Sequence, residues 1–212
     1  MTSPKDLYTV SPVEKSVAQA MVVENHYLHR RASCMFAFGL YEGDELIGVC
    51  IFGKPASPFP CRGVCGPEES DRVIELTRLW IDDKSVKNSE SFLIGQSIKM
   101  LPPEYDILLS YAEIAQGHRG VVYQATNWLY TGLSDAHVEW WLDGKPPSHS
   151  RHAFDAVGGV RKAKEVYGAR MERRERARKN RYVMFRGGKS RRKELMRKLR
   201  YEVQPYPKAE DA

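Results

Sequence analysis

The stretch that decides the fold is Tyr105–Gly132, YDILLSYAEIAQGHRGVVYQATNWLYTG. The apolar block Ile107–Leu109 follows two prolines and predicts a short buried strand. The polar run Ser110–Glu113 comes at the carboxyl end of that strand, and a turn with two glycines follows at 116–120. Beyond the turn, apolar residues recur every three or four positions, which predicts a helix with one face against a sheet and an end at Gly132.

A strand that delivers polar residues to the start of a helix is a common way to build a site in a sheet with flanking helices. Ligands collect outside the carboxyl ends of such strands, where the free N–H groups of the helix favour negative charge. Ser, Tyr, Glu, Gln and His all occur within positions 110–118, so we predict a site here. The alternative is that the glycines only shape a turn and that His118 only caps it.

Length and composition indicate one globular domain with an appendage. A chain of 212 residues with 42% hydrophobic content can bury one substantial core. Its apolar runs are all shorter than the roughly 20 residues that cross a bilayer, and the first ten residues do not have the basic-then-apolar pattern of a signal peptide. We therefore expect a cytoplasmic protein with no membrane partner.

The charge of the chain is divided unevenly along its length. The net charge is +6, but residues 151–200 contain 19 Lys and Arg against 5 Asp and Glu, whereas residues 1–150 contain 13 against 19. An acidic body with a basic C-terminal region predicts a polyanionic partner, and nucleic acid is favoured over membrane. Solvated charged faces are the alternative explanation of such runs.

The remaining periodic segments predict a mixed sheet. Strand, helix, hairpin, strand, helix, strand and helix follow one another, and this order favours a mixed, largely antiparallel central sheet flanked by helices, an α/β (α+β) fold. Ser11 opens the first predicted helix, Asn88–Ser91 opens the next, and the Pro- and Gly-rich segment 54–71 is predicted as a long loop. The predicted strands are 6–10, 35–41, 45–52, 72–81, 107–109, 138–142 and 182–185, and the two predicted basic helices are 160–180 and 189–199.

Two further groups of polar residues interrupt the predicted elements. The first helix runs into 25–31, where two imidazoles, a phenol and two guanidinium groups replace the apolar pattern. In the strand 72–81, Glu75 and Arg78 break the apolar run, and strict alternation places them on opposite faces. A charge in a central strand is costly unless it is paired or directed at a ligand. Both groups are therefore candidates for a functional site.

Three phrases of the sequence carry a resemblance to a known family. They are NHYLHRR at 25–31, ELTRLWI at 75–81 with NSES at 88–91, and SYAEIAQGHRGVVYQATNWLYTG at 110–132. The order of elements resembles the GNAT acyltransferase fold, and the phrases are similar to those of the phage Mom family over roughly residues 20 to 155. Members of that family convert adenine in phage DNA to N6-carbamoylmethyladenine and so protect it from host restriction enzymes.

The resemblance implies roles for single residues of this chain. The implied cofactor is acetyl-CoA or another acyl donor, and the implied metal is iron. The implied catalytic residues are His26, Tyr27, Ser91, Glu113 and Tyr123, and the implied metal ligands are His26, Tyr27 and Glu113. The implied residues for binding the donor are Arg78, Asn88, Ser89 and Ser91.

Two positions depart from the pattern that the resemblance sets. Glu113 stands where the Mom family more often has Asp, so the carboxylate lies one methylene further from the backbone. The segment 82–91 has no glycine, whereas typical GNAT enzymes wrap a pyrophosphate with a glycine-containing loop. A phosphate cradle would therefore have to be made by the N–H groups of residues 88–91.

The predicted organisation is a GNAT-like catalytic core at 1–150 and a basic, DNA-contacting C-terminal region at 151–212. The second part also contributes a final core strand near 181–186 and the basic helical extension. Double-stranded DNA is the predicted partner. The predicted DNA-binding residues are His149, Arg151, His152, Arg161, Lys162, Arg173, Arg174, Arg191 and Arg192.

Three functions compete for this sequence. The favoured one is a phage enzyme that modifies adenine in double-stranded DNA, in which Trp128 or Trp140 stacks on the flipped base or else packs in the core. The alternative is an ordinary GNAT-type N-acetyltransferase acting on a protein, an RNA or a small-molecule amine. The third is a DNA-binding protein without enzymatic activity, which does not account for the polar residues at the strand ends.

Overall fold

A seven-stranded sheet forms the centre of the molecule, in the strand order β1-β2-β3-β4-β5-β9-β6. The computed structural model describes residues 2–146 and 154–208. Neighbouring strands are antiparallel except β4 and β5, which are parallel, so the predicted mixed, largely antiparallel sheet is confirmed. The strands are β1 Tyr8–Pro12, β2 Phe36–Glu42, β3 Glu45–Gly53, β4 Val73–Ile81, β5 Ile107–Glu113, β6 Leu129–Leu133, β7 Val138–Leu142, β8 Met171–Glu175 and β9 Lys179–Phe185.

Helices cover both faces of this sheet. None of those in the described ranges is long and apolar enough to span a membrane. The predicted final strand is confirmed, because β9 lies between β5 and β6 in the sheet. The helices are α1 Pro4–Leu7, α2 Lys15–Asn25, α3 Pro58–Cys65, α4 Ser89–Met100, α5 Val121–Ala125, α6 Val160–Tyr167 and α7 Lys189–Lys198.

The core is divided between the two faces of the sheet. On the face that we call the α4 face, Leu93 and Ile94 of α4 pack with Ile74 and Leu108 of the sheet, all fully buried. The opposite face, which we call the α2/α7 face, is covered by α2 over the hairpin and by α3 and α7 over β5 and β9. A strip of this second face, between the two groups of helices, holds polar side chains.

A β-bulge in β4 changes which side chains share a face. Ile51 of β3 pairs with Arg78, but the next residue, Phe52, pairs with Leu76, so Thr77 is the extra residue. The alternation predicted from the sequence is therefore wrong beyond Thr77, because a bulge shifts the register by one residue. As a result, Glu75 and Arg78 lie on the same face, the α2/α7 face.

The parallel strands β4 and β5 separate part of the way along. They are paired only from Val73 with Ile107 to Glu75 with Leu109. Past this point the Ser110 hydroxyl donates a hydrogen bond to the Leu76 carbonyl oxygen at 3.0 Å. We call this feature the β4–β5 opening. It lies at the carboxyl ends of both strands, where the sequence predicted a site.

Two elements near the N-terminus differ from the prediction. Ser11 does not open a helix, because β1 continues to Pro12 and pairs there with Phe38, so that α2 begins only at Lys15. The predicted long loop at 54–71 instead contains α3 and a 3-10 turn. Pro58, Pro60 and Pro67 stand in the first turns of these two helices, where the missing N–H group costs nothing.

The predicted helix after the turn at 116–120 is also much shorter than its apolar period suggested. Helix α5 ends at Ala125, Asn127 adopts a left-handed conformation with φ of 61°, and Leu129 begins strand β6. Strand β6 pairs with the outer edge of β9. Gly132, predicted as the helix stop, lies inside β6 with φ of 77°.

The C-terminal region folds as strand and helix in alternation. The predicted helix 160–180 is wrong beyond Tyr167, because Gly168 adopts φ of 50° and ends α6. The next residues form β8, which pairs with β7 in a separate two-stranded sheet. The predicted helix 189–199 is confirmed as α7.

Candidate active site

The β4–β5 opening exposes a strip of charged and phenolic side chains on the α2/α7 face. Strand pairing aligns Glu113 of β5 with Lys179 of β9, and Tyr111 with Arg181. The Lys179 ammonium contacts the Glu113 carboxylate at 2.6 Å between Nζ and Oε2. Glu75 lies on the same face of the neighbouring strand, so two carboxylates share the surroundings of one lysine.

The end of α2 brings an aromatic group to this strip. The ring of Tyr27 stacks on His26 with centroids 4.3 Å apart and meets the edge of His118 at 5.3 Å. Burial raises the pKa of Tyr27, and the negative charge of Glu113 raises it further. Tyr27 and Glu113, which are far apart in the sequence, are therefore neighbours at the mouth of the opening.

His26 is held as a neutral imidazole. Its Nδ1 atom accepts a hydrogen bond from the Leu28 N–H at 3.1 Å. Burial and, after it, the positive charge of Arg78 lower the pKa of His26 to about 4. At neutral pH the ring carries no charge, so it can orient Tyr27 but it cannot supply a proton.

Glu75 is a candidate to which the sequence assigned no catalytic or binding role. Burial raises the pKa of this carboxyl group to about 7, against the opposing effects of Lys179 and Arg78. A half-buried carboxyl group whose pKa lies near neutrality is suited to act as a general acid or base. Its signal in the sequence was a carboxylate in an apolar strand, but only the bulge shows that it shares a face with Arg78.

Arg78 presents a partly unsatisfied guanidinium group to the same strip. Its Nη1 atom donates to the Thr77 carbonyl oxygen at 2.6 Å, while its buried Nε atom has no partner among residues 2–146 and 154–208. Burial lowers the pKa of Arg78, and Arg30 nearby lowers it further. Two guanidinium groups close together in a half-buried place are suited to bind an anionic group.

Tyr123 stands on the other side of the opening, in the core of the α4 face. It is buried, its hydroxyl is hydrogen-bonded to Ser110, and burial raises its pKa. Its ring lies 5.3 Å from Trp128 and 5.2 Å from Tyr182. Trp128 is fully buried, so it packs in the core and its faces are not open to a base.

The start of α4 lines a groove of about 430 Å³ on the α4 face. Asn88 begins the helix with φ of 72° and without a side-chain cap. The hydroxyl of Ser89 is buried and donates to the Val86 carbonyl oxygen at 2.6 Å, whereas Ser91 lines the groove and donates to the Asn88 carbonyl oxygen at 3.0 Å. Residues of α5 form the facing wall, which joins this groove to the helix that carries Tyr123.

The groove is a poor match for a pyrophosphate. Free N–H groups at the first turn of a helix favour phosphate. However, the lining contains the carboxylates of Asp82, Asp83 and Glu90 and only one cation, Lys87. Acetyl-CoA therefore stays a prediction for this chain.

The metal ligands implied by the resemblance are His26, Tyr27 and Glu113. Within the described ranges, no group of three or more His, Cys, Asp or Glu side chains is close enough to hold a metal ion. Of the predicted ligands, His26 already uses Nδ1 and Glu113 is paired with Lys179. The iron site at His26, Tyr27 and Glu113 therefore stays a prediction as well.

The predicted DNA-binding residues fall into three groups. His149, Arg151 and His152 lie outside the described residues. Arg161 and Lys162 are exposed on α6, Arg173 and Arg174 are exposed on β8, and Arg192 is exposed on α7. Arg191 is different, because its guanidinium contacts the buried carboxylates of Glu69 at 2.5 Å and Asp106 at 2.9 Å, which leaves little of its charge for a phosphate.

A mixed sheet whose one parallel pair opens beside the start of a helix defines a GNAT-like acyltransferase fold. Within that class the chain belongs to the Mom protein family, whose model matches residues 7–208. It is 34% identical over 194 residues to the protein named methylcarbamoylase Mom of Escherichia phage Mu, a match that covers 88% of this chain and 74% of that relative.

Two solved structures are distantly similar to this chain. An N-acetyltransferase of Staphylococcus aureus matches with a TM-score of 0.44 and 12% identity, covering 84% of this chain and 98% of that one. The spermidine/spermine N-acetyltransferase of Vibrio cholerae matches with a TM-score of 0.46 and 9% identity, covering 86% and 95%. The fold is assigned from the strand order of the sheet and its parallel pair β4 and β5.

Proposed function

We propose that this chain is a DNA-modifying transferase that converts adenine in double-stranded DNA to N6-carbamoylmethyladenine and so protects phage DNA from host restriction. The observation that carries the proposal is the family match over residues 7–208. The geometry supports it, because Tyr27 and Glu113, two residues singled out by the resemblance, lie close enough at the β4–β5 opening for the charge of Glu113 to raise the pKa of Tyr27.

The strip on the α2/α7 face is the proposed acceptor side. Enzymes that act on a base take it out of the helical stack into a pocket. Tyr27 and His118 form an aromatic edge at the mouth of the opening and are suited to contact an extruded adenine. Arg78 with Arg30 would bind a phosphate of the nucleotide that carries this adenine.

The proposed reaction forms a bond between adenine N6 and the methylene carbon of the donor while the bond from that carbon to its leaving group breaks. The amino group of adenine is a weak nucleophile because its lone pair is delocalised into the ring, so it must lose a proton as the new bond forms. We assign this proton to Glu75, whose pKa of about 7 suits a base at neutral pH. Glu113 and Lys179 keep the local charge balanced beside it.

The donor side is the proposed role of the groove at α4. Ser91 lines this groove, and Asn88 lies at the start of the same helix. The buried hydroxyl of Ser89 would support the loop and not touch the donor. Tyr123 is placed between the groove and the opening, so it would position the reacting carbon from the α4 face.

Nucleoside mass analysis of plasmid DNA tests the function directly. Bacteria expressing the chain should yield adenosine with the added mass of a carbamoylmethyl group, and the Glu75→Gln and Tyr123→Phe variants should reduce this yield by about 10²-fold or more, as loss of a general base or a positioning group does. Glu45→Gln, in the exposed hairpin, is the matched control and should leave the yield unchanged. Unmodified adenosine from the wild type would refute the proposal, and acetylation of an amine by the purified chain would favour the N-acetyltransferase.

A further inference from the structure

The segment between β6 and β9 forms a small lobe of its own. We call residues 134–146 and 154–178 the insertion lobe. Its core is made by Phe154, Ala163 and Met171, with Trp140 and Tyr167 packed against them. This cluster contains no residue of the central sheet, so the insertion lobe is an addition to the fold and not a part of its core.

The insertion lobe is attached at the same end of the sheet as the candidate active site. The chain leaves β6 at Leu133, which pairs with Asn180 of β9, and it returns through Lys179. Lys179 is the residue that contacts Glu113. The two legs of the lobe are held together there, because the Lys179 N–H donates to the Ser134 hydroxyl at 3.0 Å and the Ser134 N–H donates to the Lys179 carbonyl oxygen at 2.8 Å.

The surface of the insertion lobe combines exposed cations with tryptophan rings. The side chain of Arg161 is 93% exposed, and Lys162 and Arg173 are exposed without an ion-pair partner in the described part of the chain. The two tryptophans of β7 are each covered by a cation, Lys164 over Trp140 and Arg174 over Trp141, both at 4.1 Å from the ring centre.

Helix α7 is the other basic surface, and it is placed differently. It follows the end of β9 at Phe185, which pairs with Ile107 at the start of β5, the end of that strand opposite to Glu113. On its inner side Arg191 and Lys198 are tied to Glu69. Its exposed cations are Lys189, Arg192, Lys193 and Arg197.

We propose that the insertion lobe, and not α7, is the surface that docks the DNA duplex for reaction. That the partner is DNA rests on the proposed function. The choice of the lobe as the docking surface rests on its attachment next to Lys179 and Glu113. A duplex bound by its phosphates to Arg161, Lys162 and Arg173 lies next to the strand ends that carry Lys179 and Glu113. A duplex bound to the first turns of α7, at Lys189 and Lys193, lies at the opposite end of those strands.

Two triple variants with equal loss of charge test this inference. The lobe variant carries Arg161→Gln, Lys162→Gln and Arg173→Gln. The α7 variant, with Lys189→Gln, Lys193→Gln and Arg197→Gln, also removes three exposed cations and serves as the matched control. Because all six side chains are exposed, both variants should unfold at a temperature close to that of the wild type, which thermal unfolding verifies.

The measurement is the affinity for a short duplex by fluorescence anisotropy, repeated over a series of salt concentrations. The slope of the logarithm of affinity against the logarithm of salt changes by about 0.9 for each phosphate contact, so the lobe variant should show a slope shallower by about 2 to 3. The α7 variant should keep the wild-type slope and the wild-type yield of modified adenosine. Restoring the charges as lysine at 161 and 173 should restore most of the slope.

Three results would overturn the inference. The first is an equal or larger loss of slope in the α7 variant. The second is an unchanged slope in the lobe variant, and the third is tighter binding of the wild type to single-stranded RNA than to duplex DNA of equal length. A wild type that binds duplex through the lobe but leaves adenine unmodified would refute the proposed function without refuting the docking surface.

Discussion

Replacing Glu75 with Gln should make the protein more stable as well as less active. The pKa of this carboxyl group rises from its usual 4.5 to about 7 on folding, chiefly because of burial. At 1.36 kcal/mol for each unit of pKa, ionised Glu75 destabilises the folded state by about 3 kcal/mol relative to its protonated form. Gln keeps the shape of the side chain and carries no charge, so it removes this cost.

The sign of the pH dependence follows from proton linkage. Because the pKa is higher in the folded state, the folded chain binds more protons than the unfolded chain between pH 4.5 and 7, and wild-type stability falls as pH rises through this window. The Glu75→Gln variant lacks this fall. Its stability relative to wild type should therefore increase by about 3 kcal/mol across the window and stay level at higher pH.

Urea unfolding of wild type and variant at a series of pH values between 5 and 8.5 measures this difference. Glu45→Gln, at an exposed hairpin position, is the control and should show a constant difference. If the stability difference between Glu75→Gln and wild type does not change with pH, the pKa of Glu75 is not raised by folding. The assignment of Glu75 as the base would then have no support. A variant that is destabilised at every pH would indicate a structural role instead.

Two further substitutions test the framework around the site. Arg191→Met should reduce the free energy of unfolding by about 1.5–3 kcal/mol, because Glu69 and Asp106 lose the charged hydrogen bonds of their shared partner while Lys198 and Arg72 stay bound to them. Its deficit should shrink as pH falls, since both carboxyl pKa values are lowered by the arginine, and Arg192→Met at the next, exposed position should be neutral in the same urea titration. Gly120→Ala should lower the midpoint of thermal unfolding and the yield of modified adenosine together, because φ of 77° disfavours a side chain and the added methyl would meet a buried tyrosine ring of β9. An unchanged midpoint would show that the turn before α5 leaves room for a methyl group beside the Tyr182 ring.

The site is built on both faces of one sheet, and this has a consequence for specificity. The α4 face offers a groove with hydrogen-bond donors and carboxylates, whereas the α2/α7 face offers guanidinium groups, two carboxylates and an aromatic edge. Ser110 and Tyr123 lie between the two, linked by a hydrogen bond. A donor and a base could thus approach the opening from opposite sides without competing for the same surface.

Local pattern was sufficient for the elements whose neighbours in the chain define them. The apolar block Ile107–Leu109, the hairpin around Gly43 and the helix that begins at Asn88–Ser91 all appear close to their predicted positions. In each case turn residues or prolines mark the ends, and the side chains pack according to one regular period. The phrases that resemble the Mom family also identified the chain, because sequence similarity does not require knowledge of the packing.

Only the tertiary structure decided the length of α5. The apolar residues from Trp128 onward have the spacing of a helix, but they contact the core and the edge of a distant strand instead. Trp128 fills the core, and Leu129 pairs with the outer edge of β9, a strand that comes 50 residues later in the chain. The backbone groups of that edge need hydrogen-bond partners. This need overrides the local preference for helix.

The sequence by itself determined the sheet class, the family and the supply of polar residues at the strand ends. It did not determine which of those residues face one another. Glu75 and Arg78 share a face because Thr77 bulges out of register with β3, and Glu113 meets Lys179 because β9 pairs with β5. Both facts depend on pairing between distant strands, so no local period could have revealed them.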